Sequence, residues 1–151
     1  MPLRKIISGG QTGADQGGLV AGKKLLLETG GTAPYNWMTD EGPFLELESH
    51  FGLVMGPYDR AIYPKRTKRN VEDSDGTVLF GRMSSAGSKL TIRFCKALGK
   101  PYIVNPNVRV LKRFVEINNI EILNVAGNRE SKNPGIAGST IETLVEAFGE
   151  V

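Results

Sequence analysis

Leu3-Arg4-Lys5-Ile6-Ile7-Ser8-Gly9-Gly10-Gln11-Thr12-Gly13 is the stretch whose reading decides the fold. Residues 3–7 are short and mostly apolar, end in β-branched side chains and run into glycines, the pattern of a buried strand feeding a tight loop. A helix is expected next. Over residues 13–28, Ala14, Gly18, Ala21 and Leu25 recur at helical spacing while Lys23, Lys24 and Glu28 can face water. Gly17, Gly18 and Gly22 each cost about 1 kcal/mol against alanine inside a helix. Three of them imply either close approach of a neighbouring backbone or ligand, or a loose helix.

The same unit recurs downstream. Residues 30–33 read as a short strand, 65–73 as a short helix closed by Asp75-Gly76, and 77–80 as a compact apolar strand. A helix opening at 84–88 runs to Leu98, with Leu90, Phe94 and Leu98 on one face and Cys95 in the core. Gly99-Lys100-Pro101 ends it; residues 102–104 form a strand, 108–118 a helix and 121–125 the last strand. After Pro134-Gly135 a closing helix turns Ile141, Leu144, Val145 and Phe148 inward. Serial strand-loop-helix units imply right-handed crossovers, hence an α/β fold with a mainly parallel sheet and helices on both faces. Residues 29–64, rich in Gly and Pro and holding Trp37 and the sole histidine, His50, resist assignment.

At 151 residues and 40% hydrophobic content, residues 1–151 suit one domain around one core. Nineteen Lys and Arg against sixteen Asp and Glu leave a net charge of +3, a mild preference for anionic partners. Lys65, Arg66, Lys68 and Arg69 form the densest basic run, and so short a run reads as a solvated helix face, which disfavours nucleic acid. Cys95 is the single cysteine, so no intrachain disulfide or thiolate metal site can form, and a reducing, cytoplasmic setting is expected. No apolar run approaches the roughly 20 residues of a membrane span, and the first residues lack a signal-peptide core. A soluble protein is expected.

Ligands of open α/β sheets bind beyond the carboxyl ends of the strands, which singles out the loops after Ile7, Phe80 and Val125. The first carries Gly9, Gly10, Gln11, Thr12 and Gly13, where backbone N–H groups can approach a phosphate ahead of a helix N-terminus. The second carries Ser84, Ser85, Gly87 and Ser88 at another helix start, more serines than one N-cap needs. The third supplies Arg129 for a phosphate or planar oxyanion, beside Glu130 and Ser131. The expected partner is a small phosphorylated, nucleotide-like molecule. If the protein is an enzyme, Asp15 and Glu130 are the carboxylates to test as a pair that cleaves a glycosidic bond. Structural roles fit them equally: Asp15 lies in a helix's first turn, and Glu130 can orient Arg129. No resident metal is expected; magnesium arriving with a phosphorylated ligand would find Asp15 or Asp75.

Familiar motifs fail on inspection. Gly10-Gln11-Thr12-Gly13 is not GxGxxG, and no acidic residue stands about 20 positions on at a second strand end, which disfavours NAD chemistry. Gly17-x-x-x-x-Gly22-Lys23 copies most of a P-loop, but Lys24 replaces the required hydroxyl residue and the segment lies within the predicted helix. Asp73-Ser74-Asp75-Gly76 would need a ligand at Val71 to be a calcium loop, so a turn is the better account. There is no GxSxG elbow, and one histidine leaves a Ser-His triad without support.

Four segments in order along the chain carry a resemblance. They are Ser8-Gly9-Gly10-Gln11-Thr12-Gly13-Ala14-Asp15; Arg66-Thr67 with Asn70-Val71 and Asp73-Ser74-Asp75-Gly76-Thr77; Gly99-Lys100-Pro101; and Leu123-Asn124-Val125-Ala126-Gly127-Asn128-Arg129-Glu130-Ser131 with Pro134-Gly135. With them the chain resembles the putative molybdenum carrier family, a circularly permuted branch of the superfamily of lysine-decarboxylase-like, cytokinin-activating phosphoribohydrolases. The resemblance implies a Rossmann-like three-layer domain, a nucleotide-derived or molybdenum-cofactor ligand, and a homo-oligomer, dimer or tetramer. It adds Arg66 and Asn70 to the candidate ligand-binding residues. The phosphoribohydrolase signature, Gly-Gly-x-Gly-Thr-x-x-Glu, departs at the stretch from Gly9: Thr12-Gly13 is reversed and Gln16 stands at the glutamate position. The catalytic glutamate is therefore not carried over. The expected function is a non-catalytic binder or carrier, with a nucleoside-monophosphate hydrolase or a sensor or sink of a nucleotide signal as alternatives.

Overall fold

A computed structural model describes residues 3–58 and 62–149. Strand β1 (Lys5–Ser8) leads into helix α1 (Ala14–Lys24) and strand β2 (Glu28–Gly30). An irregular stretch follows, with β3 (Thr32–Ala33), a 3₁₀ turn at Tyr35–Trp37, β4 (Met38–Thr39), β5 (Gly42–Pro43), α2 (Glu46–Ser49) and β6 (Val54–Met55). Regular alternation then resumes through α3 (Ile62–Glu72), β7 (Gly76–Phe80), α4 (Ala86–Leu98), β8 (Tyr102–Val104), α5 (Val108–Ile117), β9 (Ile122–Gly127) and α6 (Ile136–Phe148).

The main sheet has five strands in the order β2-β1-β9-β7-β8, and every pair is parallel. Late in the chain, β9 occupies the centre, with Ile7 opposite Asn124 on one side and Val78 opposite Val125 on the other. Counted from β9 as first strand, the order becomes 3-2-1-4-5, that of a Rossmann sheet with its chain circularly permuted. Right-handed crossovers place α1, α5 and α6 on one face and α3 and α4 on the other, and α1 packs on α6, α5 on α6, and α3 on α4. The mainly parallel, three-layer α/β fold expected from the sequence is the one observed.

Strand alternation divides the core. Ile6, Val78, Leu123 and Val125 meet Leu111, Val115, Leu144 and Phe148 from α5 and α6. The glycines of α1 reflect close approach: a Cβ at Gly18 would lie 2.6 Å from the Val125 side chain, and one at Gly17 would lie 2.8 Å from the Ala137 carbonyl oxygen. A second cluster joins Leu19 to Ala33, Trp37, Leu47, Phe51 and Leu53, anchoring the 34–53 stretch to α1.

Several boundaries differ from the sequence reading. α1 stops at Lys24 because Glu28 must pair with Lys5 in the sheet, and Leu26 turns the chain with φ 60°. The expected strand 30–33 is two strands that diverge at Gly31: β2 joins the main sheet, while β3 pairs with β6. α3 begins at Ile62, three residues earlier than expected. The buried residues of α4 are Ser88, Thr91 and Cys95, with Leu90, Phe94 and Leu98 only half-buried beside them. No helix among the described residues is long and apolar enough to cross a membrane.

Candidate functional site

A cavity of about 460 Å³ opens on the α3 and α4 face, at the carboxyl ends of β1 and β9. That volume suits a nucleotide-sized ligand. Its floor is β9 from Asn124 to Gly127, its walls are Arg66, Thr67 and Asn70 of α3 and residues 85–91 at the start of α4, and Arg129 and Lys132 follow the floor strand. Gly9, Gln11 and Asp15 close the side beneath β1. Among the described lining residues, three cations, Arg66, Arg129 and Lys132, thus face a single carboxylate, Asp15.

The start of α4 is the part of the cavity best built for an anion. Ser85 is the N-cap, its hydroxyl accepting from the Ser88 N–H at 3.2 Å. Ala86 and Gly87 lie in the first turn, where N–H groups have no carbonyl of their own helix to meet, and a Cβ at Gly87 would touch nothing within 4 Å. The Ser88 side chain is buried and its hydroxyl has no hydrogen-bond partner. Thr91, one turn on, donates to the Gly87 carbonyl at 3.0 Å.

The first loop is less open to an anion than its glycines suggest. The Gly10 N–H donates to Ser8 Oγ at 3.2 Å, that of Gln11 to Asp15 Oδ2 at 3.2 Å, and that of Thr12 to Gln11 Oε1 at 3.0 Å. Side chains of the loop and of α1 take the donors an incoming phosphate would need. Gly9 instead makes room: a Cβ there would stand 2.9 Å from Asp15 Oδ2 and 3.3 Å from Arg66 Nη1, which donates to the Gly9 carbonyl at 3.0 Å. Gly10 turns toward Leu47 and Leu53, and Gly13, at φ 85°, lies against the backbone of Asn128 and Glu130. Part of Asp15 is open to the cavity, but protein surrounds its carboxyl elsewhere. Burial raises its pKa from 3.8 to about 6, against the opposing pull of Arg66, the Gln11 N–H and Arg129.

Three asparagines hold the site's backbone by the same device, one side-chain amide bonding both the N–H and the C=O of a distant residue. Asn70 clamps Thr32 at 2.8 and 3.1 Å, Asn105 clamps Gly81 at 2.8 and 2.8 Å, and Asn128 clamps Arg82 at 2.6 and 2.9 Å. Asn70 therefore lines the cavity with its amide already engaged.

Of the residues expected from the sequence, the cavity brings together Gly9, Gln11, Asp15, Arg66, Asn70, Ser85, Gly87, Ser88 and Arg129. Gly10, Thr12, Gly13, Ser84, Glu130 and Ser131 do not line it. Glu130 caps α6, accepting from the Gly135 N–H at 2.6 Å and the Ala137 N–H at 3.0 Å, and these donors hold its pKa below the usual range. Asp15 and Glu130 are not assembled as a pair at the cavity. Asp75 stands at the opposite end of the sheet, accepting from the N–H groups of Glu121 and Ile122, which removes it as a magnesium ligand for this site. Ser131 donates to Asp40, whose other oxygen accepts from Arg129 at 2.9 Å. Cys95 is buried in the core beside Thr77, and burial raises its pKa. His50 is exposed against the Phe51 ring and does not line the cavity.

Asn124, Thr91 and Lys132 were missed, and signals pointed to the first two. Asn124 is a polar residue inside the apolar run Ile122-Leu123-Asn124-Val125, with its Nδ2 3.2 Å from Thr77 Oγ1 under α4. Laid on Ser84-Ser85-Ala86-Gly87-Ser88-Lys89-Leu90-Thr91, the spacing Gly-Gly-x-Gly-Thr-x-x-Glu matches Gly87 and puts Ser88 at the threonine and Thr91 at the glutamate.

The family model and the first of two solved structures agree with this architecture. The family model of the circularly permutated YpsA SLOG family matches residues 6–148. The crystal structure of a "putative molybdenum carrier protein" from Syntrophus aciditrophicus is similar at 32% identity and a TM-score of 0.85, covering 99% of this chain and 96% of that one. A structure of (E)-4-hydroxy-3-methyl-but-2-enyl diphosphate reductase matches at 11% identity and a TM-score of 0.42, over 95% of this chain and 59% of that one. No curated protein matches. The permuted strand order, the cavity beyond β1 and β9 and the match across residues 6–148 agree: the chain belongs to the circularly permutated YpsA SLOG family.

Proposed function

We propose that this protein binds, without transforming it, a small phosphorylated molecule with a planar ring, a nucleotide or a phosphorylated pterin such as the molybdenum cofactor. The observation that carries this reading is the start of α4, where Ser85, Ala86, Gly87 and the unpartnered hydroxyl of buried Ser88 line the cavity with Arg129 and Lys132. Donors and cations there match a phosphate, and Ala126 with the half-buried Leu90 offers a surface for a ring. The name of the Syntrophus protein supports the pterin form.

Native mass spectrometry of freshly purified protein should detect such a ligand and report the mass of the assembly, for which a dimer or tetramer is proposed. Cell fractionation tests the proposed cytoplasmic location. Calorimetry with nucleotides and molybdopterin should give binding that Ser88→Ala and Arg129→Ala each weaken on the order of tenfold, the worth of one hydrogen bond to a charged group. Absence of binding by every phosphorylated compound would remove the proposal.

One observation favours hydrolysis as a second reading: Asp15 is a carboxyl of raised pKa in a cleft. Among the described lining residues it stands without the second carboxylate that glycosidic cleavage uses, since Glu130 caps α6. Release of free base from a nucleotide panel, abolished in Asp15→Asn, would establish hydrolysis and displace the binder. A sensor or sink would use the same pocket and differs only in what binding controls.

A further inference from the structure

A carboxylate is an unexpected lining for a cavity that takes an anion. Asp15 would repel the phosphate that Arg66, Arg129 and Lys132 attract, and its burial is costly. The conflict disappears when the ligand's other end brings N–H donors. Both the placement and the chemistry favour that arrangement. α4 starts from the end of β7, Asp15 follows the end of β1, and β9 lies between them. The carboxyl ends of β7 and β1 are therefore two strand spacings apart, roughly 9.6 Å, and the placement of α4 and α1 on opposite faces lengthens the span between the start of α4 and Asp15. A phosphate seated at the start of α4 leaves the middle of the ligand over the β9 floor and the far edge of its ring at Asp15. Gly9, having no side chain, keeps the carboxylate accessible, and the Gln11 N–H fixes Oδ2 in place.

We infer that Asp15 is the specificity-determining residue of this site and accepts paired N–H donors from a 2-amino-4-oxopyrimidine edge, the ring edge that guanine and pterins share and adenine lacks. A ring N–H and its adjacent exocyclic amine present two parallel donors to one carboxylate. Hypoxanthine keeps the ring N–H alone. The inference rests on the phosphate-and-ring reading of the cavity proposed above.

The test is calorimetry on the full chain with GMP, IMP, AMP and a pterin monophosphate. GMP or the pterin should bind on the order of 10- to 100-fold more tightly than AMP, with IMP between, as expected for hydrogen bonds to a charged acceptor. Whichever of GMP and the pterin binds more tightly identifies the source of the edge. Asp15→Asn should abolish the preference for GMP over IMP while AMP binding is not weakened, since the phosphate loses a repelling charge. Equal binding of GMP and AMP by the unaltered protein overturns the inference and leaves the binder reading standing. So does an equal loss of both in Asp15→Asn, which would place the carboxylate on the sugar. No binding by any of the four, with the protein folded, overturns the inference, and the binder reading falls with it when molybdopterin and the wider nucleotide panel also fail to bind.

Discussion

Asn128 ties two strand ends together with one side chain. It follows the central strand, and its amide holds both backbone groups of Arg82 in the loop after β7 while its Oδ1 also accepts from Asn133 Nδ2 at 3.1 Å. Asn128→Ala removes these bonds and strands backbone groups, so a loss of about 2–3 kcal/mol is expected in chemical denaturation. Ligand binding should fall with it, because the start of α4 depends on that loop. Asp15 has a different signature. Its folded pKa of about 6 lies above the ordinary 3.8, so between those values the native state holds a proton that the unfolded chain has released. Stability contributed by this group therefore falls as pH rises through that window, by at most about 3 kcal/mol. Asp15→Asn should flatten that slope in the ligand-free protein and raise its stability above pH 6, as measured by urea unfolding across pH. At this scale the sequence was half legible. Serines and arginines after strand ends advertise themselves, whereas Asn128 and Asn124 become meaningful only once partners 46 and 47 residues away are known.

At the level of elements, the hairpin of β4 and β5 does more than fill the segment that resisted assignment. Asp40 at its turn donates its N–H to Gln11 Oε1 at 2.8 Å, and its carboxylate meets Arg129 at 2.9 Å and Ser131 Oγ at 3.0 Å. The hairpin thus connects the first loop to the third. A carboxylate on Arg129 competes with any phosphate that approaches the same guanidinium. Asp40→Asn should tighten binding of phosphorylated ligands several-fold in calorimetry while changing stability by less than about 1 kcal/mol, the usual range for exposed pairs. In α1, Gly18→Ala forces a methyl onto Val125 and should cost about 1–3 kcal/mol, readable in the same denaturation assay. Elements bounded by glycine and proline, such as β7 and β8, were legible because those residues mark their ends locally. Two-residue strands were not: β3, β4, β5 and β6 are too short for any periodicity, and only the burial of Trp37, Leu47, Phe51 and Leu53 against Leu19 shows why the stretch is ordered.

For the whole molecule, alternating elements revealed the class of fold but not the order of its strands, because neighbours in a parallel sheet are chosen by contacts far apart in the chain. Leu3 and Phe148, near the two ends of the described chain, belong to one core cluster. A permutant opened between Asn118 and Asn119 and closed by a short glycine-serine linker would begin with β9 and read 3-2-1-4-5 directly. It should fold with the same circular dichroism spectrum and bind the same ligand. Loss of either would mean that the order of the chain, and not only its contacts, is required.

The central place of β9 also governs how the protein is made. β1 and β7 leave the ribosome first, yet in the finished sheet they never touch, because the strand that separates them is still to come. Until residues 122–127 arrive, the two halves have a missing strand between them and the ligand cavity has no floor. A nascent or prematurely ended chain therefore cannot bind, so the capacity to bind a ligand certifies that synthesis has passed the central strand.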